Sequence, residues 1–305
     1  MGVHFHVLAS GSSGNCSLLD LDGFGVLIDL GLGPRQVIVR FRAEPPLWDR
    51  VRAALLTHVH GDHWNENTFR HLGKRGVIVH CHSEHAARLN EWSPAFATLA
   101  RAGLVSCYQA DTTILLGPGC RALPVPLRHD GGLTFGFRFE GPPDVFGACW
   151  ALAYATDLGT WDGPLVGRFT DVDVLALEFN HDVVMQHQCG RPPALIRRVL
   201  GDHGHLSNVQ AADLFMEVLR RSEPGRLRHL VQLHLSRQCN DPALAIEAAQ
   251  RVLLQAAREV KVHTTSQDDA GPSVALDGIL PRTRFRRARV VKRRAQASSL
   301  FADWD

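Results

Sequence analysis

The feature that most constrains this chain is a cluster of four metal-binding side chains within six residues. His58, His60, Asp62 and His63 follow a short apolar run at residues 51–57 that predicts a strand. Residues two apart in an extended backbone point the same way, so His58 and His60 can reach one ion while Asp62 and His63 serve a second. A histidine-rich surface loop is the alternative, but the preceding apolar strand and the Asp-His ending argue against it.

One cluster cannot close two metal sites, so further ligands are expected at the ends of other strands. His129, Asp157 and His234 each follow an apolar run, and each would emerge at one rim of a sheet. A single Asp or His at a strand end is more often a turn or cap residue, but the cluster strengthens the case for all three. Imidazole with carboxylate suits zinc, manganese or iron rather than calcium.

The order of the predicted elements indicates the fold class. Strands are predicted at 3–8, 17–21, 25–29, 51–57, 77–81, 134–140, 149–155, 172–178, 229–235 and 260–264, and helices at 84–89, 207–221 and 242–260. Strands dominate the first half, and strand–helix alternation appears later. This pattern favours an α+β protein of the αββα type, with two stacked mixed β-sheets and helices outside.

The motif Thr-His-x-His-x-Asp-His, followed by a later His, Asp and His, resembles the metallo-β-lactamase superfamily. The resemblance implies that one ion is held by His58, His60 and His129, the other by Asp62, His63 and His234, and that Asp157 bridges them. Asp29 lies where the family has an Asp that supports the site rather than binding metal. We expect two divalent ions, zinc by default with manganese or iron as alternatives, which lower the pKa of a shared water to give a hydroxide nucleophile.

A second constellation bears on catalysis. Residues 204–208 (Gly-His-Leu-Ser-Asn) resemble an element of the nuclease-like members, in which the histidine is a candidate proton donor to the leaving oxygen. We therefore expect His205 to act as a general acid, Glu178 to orient it, and Asp62 to be essential for catalysis. The alternative is that His205 only precedes a helix N-cap and that Glu178 caps a loop.

Four dispersed segments narrow the resemblance to the YycJ/WalJ-like branch of exonucleases. They are residues 6–15, 178–182, 204–208 and 234–240. The resemblance spans roughly residues 3–265 and implies a 5′→3′ exonuclease that acts on double-stranded DNA. An Asp at position 157 argues against antibiotic hydrolysis, since the β-lactamases themselves usually carry Cys at the matching place.

Two further segments are candidates for substrate contact. The small-residue turn at 10–15 could offer backbone N–H groups and hydroxyls to a phosphate, through Ser12, Ser13 and Asn15. A tight turn beside the site is the alternative. Asn180 and His181 are also candidates for contact with substrate or with metal.

The charge of the chain divides it into two unequal parts. Residues 282–305 carry eight basic and two acidic side chains, a net charge of +6, whereas the other 281 residues carry a net charge of −4. We expect a hydrolase domain at 1–265 and a basic tail at 266–305 that contacts DNA phosphates. Residues 296–301 loosely resemble a peptide that binds a sliding clamp.

The location of the protein is predicted from what the sequence lacks. The seven cysteines form no C-x-x-C pair, which fits a reducing compartment. The N-terminus has no basic flank or long apolar stretch, and no run is long enough to span a bilayer. We therefore expect a cytoplasmic protein with no membrane partner.

Three other functions remain open on the sequence. A small-molecule metallohydrolase, such as a thioesterase or a cyclic-nucleotide phosphodiesterase, would use the same ligands. An RNA-processing nuclease is less favoured, because the 47 residues between Asp157 and His205 leave no room for the domain that β-CASP RNases insert. A non-catalytic scaffold that binds nucleic acid is disfavoured by the complete ligand set.

Overall fold

The computed structural model describes residues 2–41, 46–143 and 149–276, and within them the strands form two seven-stranded sheets. The strands are Val3–Ala9 (β1), Cys16–Leu21 (β2), Phe24–Ile28 (β3), Val51–Leu55 (β4), Ile78–His82 (β5), Val105–Tyr108 (β6), Ile114–Leu115 (β7), Arg121–Leu127 (β8), Thr134–Glu140 (β9), Ala151–Ala155 (β10), Val174–Glu178 (β11), His229–Leu233 (β12), Lys261–Thr264 (β13) and Ser273–Ala275 (β14). The first sheet has the order β14-β1-β2-β3-β4-β5-β6, and the second has the order β13-β12-β11-β10-β9-β8-β7.

The helices of the described residues cover the outer faces of these sheets. They are Pro34–Arg40 (α1), Leu47–Arg50 (α2), Glu66–Arg75 (α3), Ser83–Trp92 (α4), Pro94–Arg101 (α5), Gly163–Phe169 (α6), Val183–Gln188 (α7), Pro193–Leu200 (α8), Asn208–Arg221 (α9) and Pro242–Ala256 (α10). Helix α9 begins where its sequence predicts, because Ser207 and Gln210 form a reciprocal capping box. Helix α10 ends before the predicted residue 260, at Ala257 in a left-handed conformation.

Both sheets combine an antiparallel half with a parallel half. Strands β1, β2 and β3 are antiparallel neighbours, joined in part by a tight turn in which Asp22 and Gly23 both have positive φ. Strands β3 to β6 then run parallel, as do β10 to β13 in the second sheet. The carboxyl ends of parallel strands share one edge of a sheet, which is where open α/β sheets build their sites.

Three hydrophobic layers hold the sheets and helices together. Phe5 and Val26 of the first sheet meet Phe137 and Tyr154 of the second, so one layer fills the space between the sheets. The other two layers lie under the helices, one beneath α1–α5 and one beneath α6, α9 and α10. Each fully buried large side chain stabilises the fold by roughly 1.5–3 kcal/mol. The predicted αββα sandwich is confirmed.

The last described strand extends the folded unit past the boundary expected at residue 265. Strand β14 pairs with β1, as Phe5 with Val274. The first eleven residues assigned to the tail, 266–276, are therefore part of the domain or its edge. The basic segment and the clamp-like peptide at 296–301 lie outside the described residues. No helix in the described part of the chain has the length and apolar character needed to cross a membrane.

Candidate metal centre

Three residues predicted at strand ends share an uncommon backbone conformation. Asp29, Asp157 and His234 have φ values of 59°, 59° and 58°, in the left-handed region that residues other than glycine rarely adopt. They follow β3, β10 and β12. Hydrogen bonds fix two of these backbones: Asp29 N–H donates to Leu55 O at 2.8 Å, and His234 N–H donates to Ser10 Oγ at 2.7 Å. Such conformations concentrate at functional sites, and these three meet at one edge of the sandwich.

His58, His60 and His129 form what we call the first ligand group. One nitrogen of each ring lies within 4.8 Å of the other two, and His60 Nδ1 is 3.3 Å from His129 Nε2. His129 Nδ1–H donates to the Gly204 carbonyl at 2.9 Å. The Thr57 hydroxyl lies 3.0 Å from His58 Nδ1. These contacts leave the Nε2 atoms of His58 and His129 for an ion.

Asp62, His63 and His234 form the second ligand group, again with one donor atom of each within 4.8 Å of the others. His63 Nε2 and His234 Nε2 lie 3.6 Å and 3.7 Å from Asp62 Oδ2. The opposite ring nitrogens are bound to carboxylates. His63 Nδ1–H donates to Asp29 at 2.8 Å, and His234 Nδ1–H donates to Glu178 at 2.9 Å.

Asp157 lies between the two groups. One of its oxygens is 3.1 Å from His63 Nε2, and the other is 3.7 Å from both His129 Nε2 and His234 Nε2. A single carboxylate thus approaches histidines of both groups. This is the position in which the family resemblance implies a bridging ligand.

Two uncharged residues form hydrogen bonds with the ligands of the centre and with Asp29, which lies behind His63. The Thr57 hydroxyl contacts both oxygens of Asp29 at 3.0 Å, and its backbone N–H donates to the same carboxylate at 2.9 Å. The Asn15 amide lies 3.2 Å from Asp62 Oδ2 and 3.0 Å from His63 Nε2. Asp29 is fully buried, in agreement with the supporting role that the resemblance implies.

Glu178 connects the centre to the histidine that precedes α9. One carboxylate oxygen accepts from His205 Nδ1 at 2.7 Å and from His234 Nδ1 at 2.9 Å, while the other accepts from Leu158 N at 2.8 Å. Burial would raise the pKa of Glu178, but the two imidazoles outweigh it and lower that pKa to about 2. Glu178 therefore stays ionised and holds both rings by Nδ1.

The surroundings of the two groups shift the pKa values of their histidines in opposite directions. Burial lowers the pKa values of His63 and His234, yet neighbouring carboxylates raise both well above the ordinary value, Asp29 and Asp157 foremost for His63 and Asp157 foremost for His234. Burial and the surrounding histidines instead lower the pKa values of His58 and His60. The second group thus stabilises positive charge, and the first offers neutral imidazoles.

The donor set fits divalent metal ions. The Nε2 atoms of His58 and His234 are buried and have no hydrogen-bond partner among the described residues. Buried polar atoms rarely stay unpaired, and a metal ligand is one reason for such an atom. Imidazoles and carboxylates converging on two adjacent points are the ligands of zinc, manganese or iron.

The residues predicted to contact substrate differ in their exposure. His181 is fully buried, and neither of its ring nitrogens has a hydrogen-bond partner among the described residues, so its contact with substrate or metal stays a prediction. Asn180 is also buried, and its amide donates to the His234 carbonyl at 2.9 Å. The Asn15 amide contacts the ligands Asp62 and His63. Ser12 and Ser13 are exposed on the turn beside it, where contact with substrate stays a prediction.

Two contacts of the metal centre are not evident from the sequence, because they join segments that are far apart in the chain. Glu178 was expected to orient His205 only, although it also holds His234. Asp130, directly after His129, lies with Oδ1 3.5 Å from His129 Nε2 and is paired with Arg198. The adjacency of Asp130 to a ligand was a visible signal, but its partner is 68 residues away.

Comparisons with known protein sequences point to one family. A sequence model described as the beta-lactamase superfamily domain matches residues 25–227. Exodeoxyribonuclease YycJ of Bacillus anthracis is 27% identical over 261 residues, which cover 83% of this chain and 90% of that protein. Exodeoxyribonuclease WalJ of Streptococcus pneumoniae is 26% identical over 284 residues, which cover 89% and 97%.

A solved structure agrees with the architecture. Zn²⁺-bound PqqB from Methylobacterium extorquens superposes with a TM-score of 0.61 at 17% identity, covering 89% of this chain and 99% of that one. At this identity the similarity shows the fold alone.

Proposed function

Since the chain belongs to the metallo-β-lactamase superfamily, a family of metal-dependent hydrolases, we propose that it is a DNA exonuclease that releases nucleotides from double-stranded DNA in the 5′→3′ direction. The observation that carries this proposal is the position of His205. Its ring is held by Glu178 and lies beside the metal centre, with Nδ1 3.7 Å from Asp157 Oδ1.

A proton donor at this place is what phosphodiester hydrolysis requires. The leaving group is an alkoxide, and a general acid accelerates its departure by roughly 10²–10⁴-fold. Because Nδ1 of His205 faces Glu178, the other ring nitrogen is available to give a proton to the leaving oxygen. The His205 side chain is 17% exposed, so a substrate in the centre can reach it.

The ligand groups supply the rest of the chemistry. Divalent ions held there would polarise the phosphate and activate a water. Asp157 would hold both ions at a fixed spacing, while Asp29 and Glu178 keep His63 and His234 in one tautomer and orientation. Asp62 completes the second group, and its loss would remove a charged ligand.

The substrate class rests on the relatives and on the surface next to the centre. The relatives named exodeoxyribonucleases match over at least 90% of their own length, which supports DNA as the substrate. The exposed residues Ser12 and Ser13 lie on a turn bound to the centre, since Asn15 N–H donates to the Asp62 carbonyl at 2.7 Å, and the Ser13 hydroxyl donates to Gln267 at 3.0 Å. We propose that this turn contacts the phosphate backbone.

The tail and the cellular location complete the proposal. The basic segment at 282–294 would add phosphate contacts without sequence specificity, and 296–301 would contact a sliding clamp. All seven cysteines are free thiols, which supports a reducing compartment such as the cytoplasm.

The test uses the full-length protein loaded with zinc or manganese and DNA duplexes labelled at either end, with single-stranded DNA beside them. We expect stepwise release of nucleotides from 5′ ends. Asp62→Ala should abolish it, while Asp213→Ala, which removes an exposed carboxylate from α9, should not. Absence of DNA cleavage, with activity retained on a small diester or thioester, would replace the proposal with a small-molecule hydrolase.

A further inference from the structure

An arginine on the rim of the metal centre has no role in the mechanism above. Arg198, near the end of α8, forms a two-point ion pair with Asp130: Nη2 donates to Oδ1 at 2.9 Å, and Nε donates to Oδ2. Oδ1 of the same carboxylate is 3.5 Å from Nε2 of the ligand His129. The guanidinium therefore lies one carboxylate away from the first ligand group.

Backbone contacts fix this arrangement relative to the centre. Asp130 N–H donates to the His203 carbonyl at 2.9 Å, and His205 N–H donates to the Val199 carbonyl at 2.9 Å. A methyl group on Gly204 would lie 2.1 Å from that Val199 oxygen, so helix α8 and the His205 loop are in close contact. These contacts fix the backbone on both sides of the Arg198–Asp130 pair next to the segments that carry His129 and His205.

The ion pair is not explained by stability. The Arg198 side chain is 53% exposed and Asp130 is 27% exposed, and exposed pairs of this kind contribute little to the free energy of folding. Asp130 does, however, place a negative charge between the guanidinium and the position of the metal ions. It thereby allows a cationic side chain to remain beside a dicationic site.

The guanidinium also keeps a free hydrogen-bonding edge. Nε and Nη2 are engaged with Asp130, whereas Nη1 makes no hydrogen bond or ion pair with any residue that the structure describes. Arginine presents donors in a planar fork that matches phosphate oxygens. One strand of B-DNA carries a phosphate about every 3.4 Å of helix axis, so a second phosphate comes near any group that flanks the scissile one.

We propose that Arg198, oriented by Asp130, binds the DNA phosphate next to the scissile phosphate and makes the enzyme select polynucleotides over isolated diesters. This inference rests on the proposed exonuclease function and adds a substrate-binding residue to it. Asp130 is a positioning residue in this account, because it acts through the guanidinium. The contact would discriminate by the presence of a neighbouring phosphate and not by base sequence.

The experiment compares Arg198→Ala and Arg198→Lys with Arg251→Ala, a control that removes an exposed arginine paired with Glu247 on α10. Binding of a 5′-phosphorylated duplex with hydrolysis-resistant phosphorothioate linkages is measured on the metal-loaded protein at several salt concentrations, and hydrolysis is measured on an ordinary duplex and on bis(p-nitrophenyl) phosphate. We expect Arg198→Ala to weaken DNA binding and raise KM about tenfold, with a log–log salt slope smaller by about one. Hydrolysis of the isolated diester, metal content and the melting temperature should match the wild type.

The lysine variant should keep the salt slope but recover only part of the affinity, since a point charge replaces a fork. Unchanged DNA affinity and salt slope in Arg198→Ala would overturn the inference. An equal loss on the isolated diester would also overturn it, because the residue would then act on the metal centre. If the wild type neither binds nor digests DNA, the proposed function itself fails, and that outcome is visible before any variant is compared.

Discussion

The two ligand groups of the metal centre are built from similar residues but are held in different ways. In the first group, the outer nitrogens of His58 and His129 contact a hydroxyl and a backbone carbonyl. In the second group, the outer nitrogens of His63 and His234 contact the buried carboxylates of Asp29 and Glu178. The centre is therefore asymmetric in charge, although both groups contain more than one imidazole.

This difference teaches how one fold can make two neighbouring metal positions unequal. A carboxylate behind a histidine fixes its tautomer and makes the ring a stronger ligand. The second group also contains Asp62, whereas the first has no carboxylate of its own apart from the shared Asp157. We therefore expect the second group to hold its ion more tightly, and the first group to lose its ion first.

The largest effect is expected from Asp157→Asn. Because Asp157 is shared, this variant should weaken metal binding by both groups at once and so remove the difference between them. Losing the shared carboxylate should lower exonuclease activity by about 1000-fold, equal to roughly 4 kcal/mol of transition-state stabilisation. Metal analysis of the purified variant should find both ions depleted. Retention of one full equivalent of metal would mean that Asp157 belongs to a single group.

Glu178→Gln should have the next largest effect, because Glu178 serves both His234 and His205. We expect roughly 100-fold slower release of nucleotides from DNA, since a misoriented general acid loses its catalytic contribution. Bis(p-nitrophenyl) phosphate has a leaving group that needs little protonation, so its hydrolysis separates the two roles. A loss on DNA alone assigns the effect to His205, whereas an equal loss on both substrates, with less bound metal, assigns it to His234.

A matched pair of variants should affect the groups one at a time. Asp29→Asn removes the carboxylate behind His63 and should weaken the second ion by about 10–100-fold. Gly131→Ala should disturb the first group instead, because a methyl group there would lie 2.7 Å from His58 Cδ2 and 3.0 Å from the His60 ring. Metal affinities measured by competition with a chelator would show which of the two ions each variant weakens.

Gly167→Ala in α6 serves as the control for the glycine variant, since a methyl group at Gly167 meets nothing within 4 Å. The asymmetry would be refuted by equal weakening of both ions in each of the two site variants.

The smallest expected effect is a difference in proton release. The pKa values of His63 and His234 are raised well above the ordinary value, so these rings hold protons near neutral pH and must release them to an ion. The pKa values of His58 and His60 are lowered, so those rings bind an ion without releasing a proton. Affinity for the tighter ion should therefore rise with pH.

Calorimetry in buffers of different ionisation enthalpy measures this release. We expect about one to two more protons released with the tighter ion than with the weaker one. Proton release confined to the weaker ion would reverse the assignment of the two groups.

The residues that could be predicted from the sequence are those with a local signal. His58, His60, Asp62 and His63 are adjacent in the chain, so an apolar strand followed by four ligand-type side chains was enough to identify them. The sandwich followed from the alternation of strands and helices, and it is confirmed. The expectation that His129, Asp157 and His234 meet this cluster came from their places after strands and from the family resemblance, and the structure brings them together.

The remaining features depend on packing between distant segments. Nothing near His181 in the sequence indicates that it is fully buried or that it pairs with Ser207, and its contact with substrate or metal stays a prediction. The double role of Glu178 depends on β11 and β12 being neighbours, and the Asp130–Arg198 pair depends on α8 packing beside the His205 loop. Helix α10 also ends earlier than predicted, because Ala257 adopts a left-handed conformation and its N–H donates back to the Leu253 and Leu254 carbonyls.

The most direct test of a two-metal exonuclease is a stepwise chelation of the full-length protein. The number of bound metal ions and the rate of DNA hydrolysis are measured in the same samples. We expect two ions per chain, lost in two separate steps, with release of 5′ nucleotides falling as the first ion leaves. A single ion per chain, or DNA hydrolysis that persists in protein stripped of both ions, would contradict it.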